Sequence, residues 1–404
     1  MPYTIDIPWL HDRHSHASLY ASLIGCTSLA GMNTVDSLAV MRSLDPERLS
    51  VVFGWHSALA PLSHTDLENL PSAIIVNVSM HGFALTSAAL ARLADEQPGM
   101  VTHRDDADWG ERHLPHVLEF FSRTAGLTPD KLTIFMERME RLGLGSVDDM
   151  LVPGEEAFQV IRQSRWADHI QCWATPPTFQ TLSLASREAL AGLKFFTDGA
   201  LGSWTAALRG TFRDGRQGLL LYEDADLLRT LGECHEFGKP VAIHAIGDRA
   251  IEQVLGVLER LDRDGVRFPL VRMEHVQFID EIQARRAREL GLVLSMQPNF
   301  NSDSRDYADR LDARWLAINN PFRMLIDQVG FTPGKDLILG SDGMPHGVEY
   351  ALQWSLFPLH PGQRLAVEEL RAGYGIHPEA KGRSRAEIDQ AWRRVTLLEP
   401  HHES

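Results

Sequence analysis

The chain has 404 residues, of which 44% are hydrophobic and 8% aromatic, and its formal charge is −15 at pH 7. This composition supplies enough apolar side chains for a large buried core, and the length fits either several domains or one extended α/β barrel. The acidic charge argues against a nucleic-acid partner, because nucleic acids bind basic surfaces. The sequence contains no long uninterrupted apolar run, so we expect no membrane partner.

The start of the chain and its cysteines indicate a cytoplasmic location. The N-terminal segment has neither the basic region nor the apolar region of a secretory signal peptide. The three cysteines, Cys26, Cys172 and Cys234, are far apart and odd in number, which favours reduced thiols over disulfides. We therefore expect a cytoplasmic protein.

In chain order, the first predicted strand leads into His14, and eight further short apolar runs have the composition of buried strands. These runs occupy residues 49–55, 72–78, 169–175, 193–199, 240–246, 270–276, 292–298 and 337–343. From residue 190 to 345 the runs alternate with helical segments, an order typical of a parallel sheet. A closed barrel needs eight strands, so we predict that one run, within 49–78 or at 169–175, lies outside it.

Two segments differ from the strand and helix alternation. Residues 84–168 are rich in charged, aromatic and helix-forming residues, and we predict a helical insertion there. Residues 376–404 are polar, and we interpret them as a partly helical tail. The expected organisation is therefore one barrel domain over residues 1–375, followed by this tail.

Polar side chains stand in or at the ends of the predicted strands. His14 and His16 are two residues apart, so on a strand they point to the same face. Four more such residues follow along the chain; they are Lys194, His244, His275 and Asp342. The carboxyl ends of barrel strands converge at one mouth, where these groups could together bind Zn²⁺, Mn²⁺, Fe²⁺ or Ni²⁺. Each residue alone is more simply a polar cap or a surface group, and the ordered set of six is what favours a metal site.

Several segments resemble, in the same order, the motifs of the amidohydrolase superfamily, and within it the branch called amidohydrolase family 3. DRHSH at 12–16 is similar to the D-x-H-x-H motif of the first strand, and LKFFTDGALGSWTAAL at 193–208 is the most specific match. VAIHAIGDRAIEQVLGVLE at 241–259, RMEHVQFID at 272–280 and LGSDGMP at 339–345 continue the resemblance. It implies an α/β fold, a TIM-like (β/α)8 barrel, and a metal-dependent hydrolase.

The resemblance also implies a role for each matched side chain. One or two divalent transition metals, zinc above all, would be held by His14, His16, Lys194, His244, His275 and Asp342. Lys194 would carry a carbamate, because an ammonium group has no lone pair to give to a metal. Asp342 would also be the catalytic acid and base. His81, in the matched segment 76–90, and Asp198 would line the substrate pocket.

Positions outside the ligand set supply further expectations. Trp55, Trp204 and Gln297 follow or lie within segments near the expected barrel mouth, and we take them as candidates for substrate binding that could equally serve in packing. His11 stands where an apolar or small residue is expected, and we interpret it as a surface residue in preference to an extra polar contact under the barrel. His14 lies close to the first residue of this chain, so we expect a barrel without the complete flanking β-sandwich of relatives with longer N-terminal segments.

The resulting hypothesis is an enzyme that uses a metal-activated water to hydrolyse C–N bonds other than peptide bonds in a small molecule: an amide, formamide, cyclic amide or carbamate. A lactonase or phosphotriesterase would use the same site. A nucleobase-type aminohydrolase is disfavoured, because such relatives usually carry Glu three residues after the fifth-strand histidine, where this chain has Gly247. A catalytically silent barrel acting as a binding subunit is disfavoured because all six candidate ligands are present. The chain could form a homo-oligomer.

Overall fold

The computed structural model describes residues 2–78 and 80–401, with side chains described as far as residue 398. Fifteen strands occur in this part of the chain. They are β1 (Tyr3–Pro8), β2 (Leu10–Ser15), β3 (Thr27–Ser28), β4 (Ser50–Trp55), β5 (Ala73–Asn77), β6 (Phe83–Leu85), β7 (Leu144–Asp149), β8 (Ile170–Ala174), β9 (Gly192–Phe196), β10 (Val241–Ala245), β11 (Val271–His275), β12 (Val293–Met296), β13 (Leu337–Leu339), β14 (Arg383–Asp389) and β15 (Arg394–His401).

The same part of the chain contains eighteen α-helices. They are α1 (Ala17–Ser22), α2 (Thr34–Arg42), α3 (His64–Leu67), α4 (Ser87–Leu93), α5 (Pro98–Thr102), α6 (Ala107–Arg112), α7 (Leu114–Ala125), α8 (Pro129–Arg141), α9 (Glu155–Arg162), α10 (Pro176–Thr181), α11 (Leu184–Ala189), α12 (Asp224–His235), α13 (Asp248–Arg263), α14 (Glu281–Glu289), α15 (Asp303–Asp306), α16 (Ala313–Ile318), α17 (Val348–Leu356) and α18 (Val367–Tyr374). Short 3₁₀ turns occupy Pro298–Ser302 and Pro361–Gln363, and Met324–Val329 form a π-helical turn. None of the described helices is both long enough and apolar enough to cross a lipid bilayer.

Eight strands form one parallel sheet in the order β2, β7, β8, β9, β10, β11, β12 and β13. A backbone hydrogen bond of 2.7 Å from Asp342 N to His14 O brings the end of the sheet back to its beginning. Gly340 permits this approach, because a Cβ there would lie 2.3 Å from His14 N. Strands β9 and β10 are buried at every position, as expected for a sheet covered on both faces. The sheet is therefore nearly closed, which confirms the predicted α/β barrel.

The insertion between the first two barrel strands differs from the prediction in its extent. A second sheet with the order β3, β4, β5 and β6 contains both predicted runs at 49–55 and 72–78, so two runs rather than one lie outside the barrel. The run at 169–175 supplies β8, which is a barrel strand. The strand that completes the set of eight is β7, which lies next to β2 in the sheet and within the segment predicted to be helical. Its sequence, LGSVDD, lacks the aliphatic composition that marks the other barrel strands.

The predicted helical tail is wrong, because β14 and β15 form an antiparallel hairpin that pairs with β1. In β14, Ser384, Ala386 and Ile388 are buried while the residues between them are exposed or half-buried. This alternation has the period of a strand with one buried face, and the abundance of charges on the other face concealed it. The barrel flank in the described residues thus carries a three-stranded antiparallel sheet.

Candidate functional site

The barrel places five of the six candidate ligands at or just beyond the carboxyl ends of its strands, and the sixth, Lys194, in the middle of β9. Three of them, His14, His275 and Asp342, offer ligand atoms that all lie within 4.8 Å of one another. The His244 ring centroid is 4.5 Å from that of His275, and His16 Nε2 is 3.2 Å from Asp342 Oδ1. Strands that are adjacent or joined by the barrel closure thus bring together residues more than 300 positions apart in the sequence.

Two of these positions have an uncommon backbone conformation. His275 has a φ of 73° and Asp342 a φ of 57°, in the left-handed region that non-glycine residues rarely adopt. Such a conformation costs free energy and is retained where surrounding contacts impose it, which happens often at functional sites. The backbone bond from Asp342 N to His14 O ties Asp342 to β2.

Hydrogen bonds to Nδ1 fix the orientation of two imidazole rings. Glu274 Oε2 lies 2.6 Å from His14 Nδ1, and Gln297 Oε1 lies 2.8 Å from His275 Nδ1. A carboxylate or amide oxygen accepts only, so each Nδ1 carries the hydrogen and each Nε2 keeps its lone pair. Burial lowers the pKa of His14 to about 4 and also lowers that of His275, so both rings are neutral at pH 7, as metal ligands must be.

Lys194 differs from the other buried or partly buried lysines in its surroundings. Its side chain is 1% exposed, and its Nζ has no hydrogen-bond partner in residues 2–78 and 80–401. By contrast, Lys131 Nζ donates to three backbone carbonyl groups, and Lys239 Nζ donates to two. Burial lowers the pKa of Lys194 to about 8, which increases the neutral fraction of the amine. A buried nitrogen without a partner is what a site for an additional group would contain.

A buried chain of ionic hydrogen bonds supports His14 from inside the barrel. Arg272 Nε donates to Glu274 Oε1 at 2.8 Å, and Arg272 Nη1 donates to Asp148 Oδ2 at 2.7 Å. Asp148 Oδ1 in turn accepts a hydrogen bond of 2.8 Å from His11 Nε2. The expectation that His11 is a surface residue is therefore wrong, since it is 2% exposed and partnered with Asp148. Arg272 and His14 outweigh the effect of burial and hold the pKa of Glu274 well below its usual range.

Replacing Glu274 with Gln tests whether this network orients His14. Gln keeps the size of the side chain but loses the charge that pairs with Arg272, and its amide can present a donor to Nδ1. We expect metal affinity to fall about 10- to 100-fold, the usual cost of losing such a supporting contact. Titration with a metal-sensitive dye measures the change, and the exposed Glu289→Gln serves as the control. Unchanged affinity in Glu274→Gln would show that His14 needs no such support.

The predicted substrate residues fall into different surroundings. Both oxygens of the Asp198 carboxylate accept hydrogen bonds, from the backbone N–H groups of Ala207, Ile246 and Gly247. One of its oxygens also lies 3.3 Å from His244 Nε2. Gln297 is fully buried beneath His275. Both side chains thus contact the ligand histidines, and contact with substrate remains a prediction.

The contacts described for the other three predicted substrate residues involve groups outside the candidate ligand set. Trp55 Nε1 donates to Ala60 O at 2.7 Å, and its ring packs on the core of the small sheet. Trp204 packs against Phe212 and the guanidinium group of Arg310. His81 Nδ1 lies 3.1 Å from both oxygens of Glu111. Their roles in substrate binding remain predictions.

A cavity of 350 Å³ opens beside the ligand set at the ends of β8 and β9. Its lining residues include Lys194 and Phe196 at the barrel side, Glu119 from α7, and Tyr222 from the segment after β9. A volume of this size suits a small molecule. Glu119, Glu274, Arg272 and Asp148 were not identified from the sequence, because each is a charged residue whose burial depends on partners distant along the chain.

Comparison with known proteins decides the family. A model of the amidohydrolase family matches residues 7–347. The chain belongs to the amidohydrolase family. This confirms the resemblance in the sequence motifs, and the match includes all six candidate ligands of the amidohydrolase. Family membership indicates a hydrolase and implies the use of a divalent metal.

Individual relatives agree with this assignment over shorter stretches. The amidohydrolase is 37% identical over 110 residues to the putative amidohydrolase YtcJ of Bacillus subtilis. This stretch covers 27% of this chain and 20% of the relative. It is 34% identical over 120 residues to the protein LONG AFTER FAR-RED 3 of Arabidopsis thaliana, which is 29% of this chain and 21% of the relative. The matched stretches thus span about a fifth of the length of these curated relatives.

Two solved structures share the fold. An uncharacterized metal-dependent hydrolase from Pyrococcus furiosus superposes with a TM-score of 0.67 at 20% identity, covering 92% of this chain and 81% of the other. One from Pyrococcus horikoshii superposes with a TM-score of 0.65 at 22% identity, covering 87% of this chain and 74% of the other. At these identities the likeness establishes the barrel architecture alone.

Proposed function

We propose that this amidohydrolase hydrolyses C–N bonds other than peptide bonds in a small molecule: an amide, formamide, cyclic amide or carbamate. The observation that carries the proposal is that His14, His275 and Asp342 offer ligand atoms within 4.8 Å of one another. In addition, two buried nitrogens, His14 Nε2 and Lys194 Nζ, have no hydrogen-bond partners in the described residues. Water activation at such a site is the common requirement of these hydrolyses.

The residues present fit one or two divalent ions, and we propose zinc. The donor set combines neutral imidazoles with carboxylate oxygen, which is the chemistry that zinc accepts. The residues that would hold the ions are His14, His16, Lys194, His244, His275 and Asp342. When bound, the metal would lower the pKa of water to about 7 and polarise the scissile carbonyl group.

We also propose that Lys194 is carbamylated. Its neutral amine would attack the carbon of CO₂, forming an N–C bond and releasing one proton to solvent. The product is a carboxylate, which can bind metal where the ammonium cannot. The buried, unpartnered Nζ and its lowered pKa of about 8 both favour the amine form that this reaction requires.

The chain's own groups supply proton transfer and positioning. Asp342 lies 3.2 Å from His16 Nε2 and is 17% exposed, so it can reach a water at the barrel mouth. It would accept a proton from that water and give it to the departing nitrogen, since an amine leaves more easily when protonated. Glu274 and Gln297 keep the imidazoles of His14 and His275 in place during this exchange.

A small-molecule substrate and a cytoplasmic location complete the proposal. The cavity volume of 350 Å³ suits a compact substrate. Cys26, Cys172 and Cys234 are all free thiols in the structure, which is the usual state in a reducing compartment.

Metal analysis combined with an amide screen tests the proposed function. Purified protein is expected to contain about one to two transition-metal ions per chain and to lose hydrolysis of N-acyl, N-formyl or cyclic amides on chelation. Zinc added back should restore the activity. His244→Ala should lose metal, whereas His64→Ala, which alters a histidine that is 66% exposed, should keep it.

Two results would contradict the proposal. Hydrolysis that persists in thoroughly chelated, metal-free protein would remove the metal mechanism. Metal-loaded protein that cleaves lactones or phosphotriesters but none of the amides would replace the C–N assignment with one of those activities.

A further inference from the structure

The cavity beside Lys194 contains a carboxylate whose surroundings are not explained by hydrolysis itself. Glu119 lies on α7, which belongs to the insertion rather than to the barrel, and its side chain is 7% exposed. It lines the same 350 Å³ cavity as Lys194. A glutamate is seldom buried to this degree unless it is paired.

One oxygen of Glu119 is held by the barrel side of the cavity. Thr178 Oγ1 donates to Glu119 Oε1 at 2.7 Å, and Thr175 Oγ1 donates to the same atom at 3.1 Å. Both threonines belong to the start of α10, directly after β8. Two hydroxyl donors on one oxygen fix the carboxyl group in a single orientation relative to the barrel mouth.

The second oxygen of Glu119 has no hydrogen-bond or ion-pair partner among the described residues. The nearest cation on its own helix, Arg123, donates to Pro153 O instead. Burial raises the pKa of Glu119, although the two threonine hydroxyls and the positive charge of Arg123 act in the opposite direction and compensate it only in part. An incompletely compensated buried carboxylate is the environment that a bound cation would complete.

Part of the cavity wall is aromatic or aliphatic, although Arg112, His113 and Lys194 also line the cavity. Phe196 and Tyr222 supply aromatic surface, and Pro176 supplies aliphatic surface. His116 at the rim is engaged with Gln97 at 2.7 Å, and burial lowers its pKa. Aromatic faces beside a carboxylate favour an organic cation, because such a cation gains from both the charge and the ring surface. The overall charge of −15 adds a general attraction for cations.

We propose that Glu119 is a specificity residue that binds an ammonium group of the substrate. This rests on the proposed function: the substrate class becomes amides that carry a primary ammonium group, with the scissile C–N bond at the Lys194 end of the cavity and the ammonium at Glu119. Arg112, exposed at the outer rim, is the cation that lines the cavity besides Lys194, and it lies at the solvent side.

Binding of a small cation separates this inference from catalysis. Calorimetric titration compares benzylammonium chloride with benzyl alcohol, which has a similar shape and no charge. We expect the wild-type protein to bind benzylammonium about tenfold more tightly, as a charged hydrogen bond in a buried site provides. Glu119→Gln should remove the preference, while Glu96→Gln, at an exposed position, should keep it.

A second variant keeps the test decisive if Glu119→Gln folds poorly. Leu221→Lys places an ammonium group in the same cavity from a half-buried position, and it should also abolish the preference. Equal affinity for the two probes in wild-type protein, or a preference that survives either cavity variant, would overturn the inference. If the protein hydrolyses amides but shows no preference for benzylammonium, the proposed function stands and the inference about Glu119 is wrong. If it prefers benzylammonium but hydrolyses no amide, the cation site stands and the proposed function is wrong.

Discussion

Lys194→Ala is expected to abolish hydrolysis, lowering kcat/KM by at least about a thousandfold, or about 4 kcal/mol of transition-state stabilisation. The physical reason is that Lys194 is buried in the barrel, and its Nζ has no hydrogen-bond partner in the described residues. If it carries a carbamate, alanine removes a ligand and leaves a cavity of matching shape. Steady-state kinetics with the best amide from the screen, together with metal content, measures the loss.

Chemical rescue distinguishes a lost ligand from a damaged fold. Acetate or propionate can enter the space left by Lys194→Ala and present a carboxylate there, so we expect partial recovery of activity that saturates with acid concentration. Lys335→Ala, at an exposed position, should behave like the wild-type protein. Full turnover in Lys194→Ala without added acid would exclude a catalytic role for the proposed carbamate.

The stability of metal-free protein provides a readout that does not depend on catalysis. The pKa of Lys194 is about 8, below its ordinary value of 10.5, so between these values the unfolded chain holds a proton that the folded chain has released. The free energy of unfolding should therefore rise with pH across this interval, by about 3 kcal/mol in total. Lys194→Met should remove this rise and stabilise the metal-free protein at neutral pH, because it replaces a buried cation with an apolar group of similar length.

The sequence predicted that several of these side chains meet, because the signals for their placement are local. The spacing of His14 and His16 on one strand, and the position of His244 and His275 at the ends of apolar runs, are visible without knowledge of the fold. The parallel barrel then requires these ends to meet, which the structure confirms for His14, His275 and Asp342.

What the sequence did not reveal depends on pairing between distant residues. Glu274 supports His14 from 260 positions away, and Asp148 supports His11 from 137 positions away. Charged residues inside β7 made that strand look unlike a barrel strand, although Asp148 is buried there because Arg272 neutralises it. The prediction of a helical tail was wrong for a similar reason. Alternate residues of β14 are buried because β14 pairs with β1, and this pairing cannot be seen in the sequence of the tail alone. The hydrophobic pattern of a segment therefore predicts a strand poorly when the polar side chains of that strand are buried against partners distant in the sequence.

Asp342→Asn is the second substitution expected to have a large effect, and it separates proton transfer from the architecture of the site. Burial would raise the pKa of Asp342, but His14, which becomes charged in acid, and the hydrogen bond from His16 outweigh this effect and hold that pKa well below its usual range. The carboxylate is therefore ionised across the working pH range. Asparagine has nearly the same shape and preserves the backbone bond to His14 O, but it cannot accept a proton. We expect kcat to fall about a hundred- to ten-thousandfold, the contribution of a positioned acid and base.

The pH dependence of stability checks the same assignment independently. Because the folded-state pKa of Asp342 is depressed, the stabilisation it contributes to the metal-free protein is present above the unfolded-state pKa of 3.8 and is lost as the solution becomes more acidic. Asp342→Asn should therefore be less stable than wild type at pH 7 and should approach it in acid, whereas the exposed Asp309→Asn should follow the wild-type curve. If Asp342→Asn shows this altered stability profile but keeps wild-type turnover, Asp342 does not transfer the proton. Its role would then be to balance the charge of the histidines, and another group would transfer the proton.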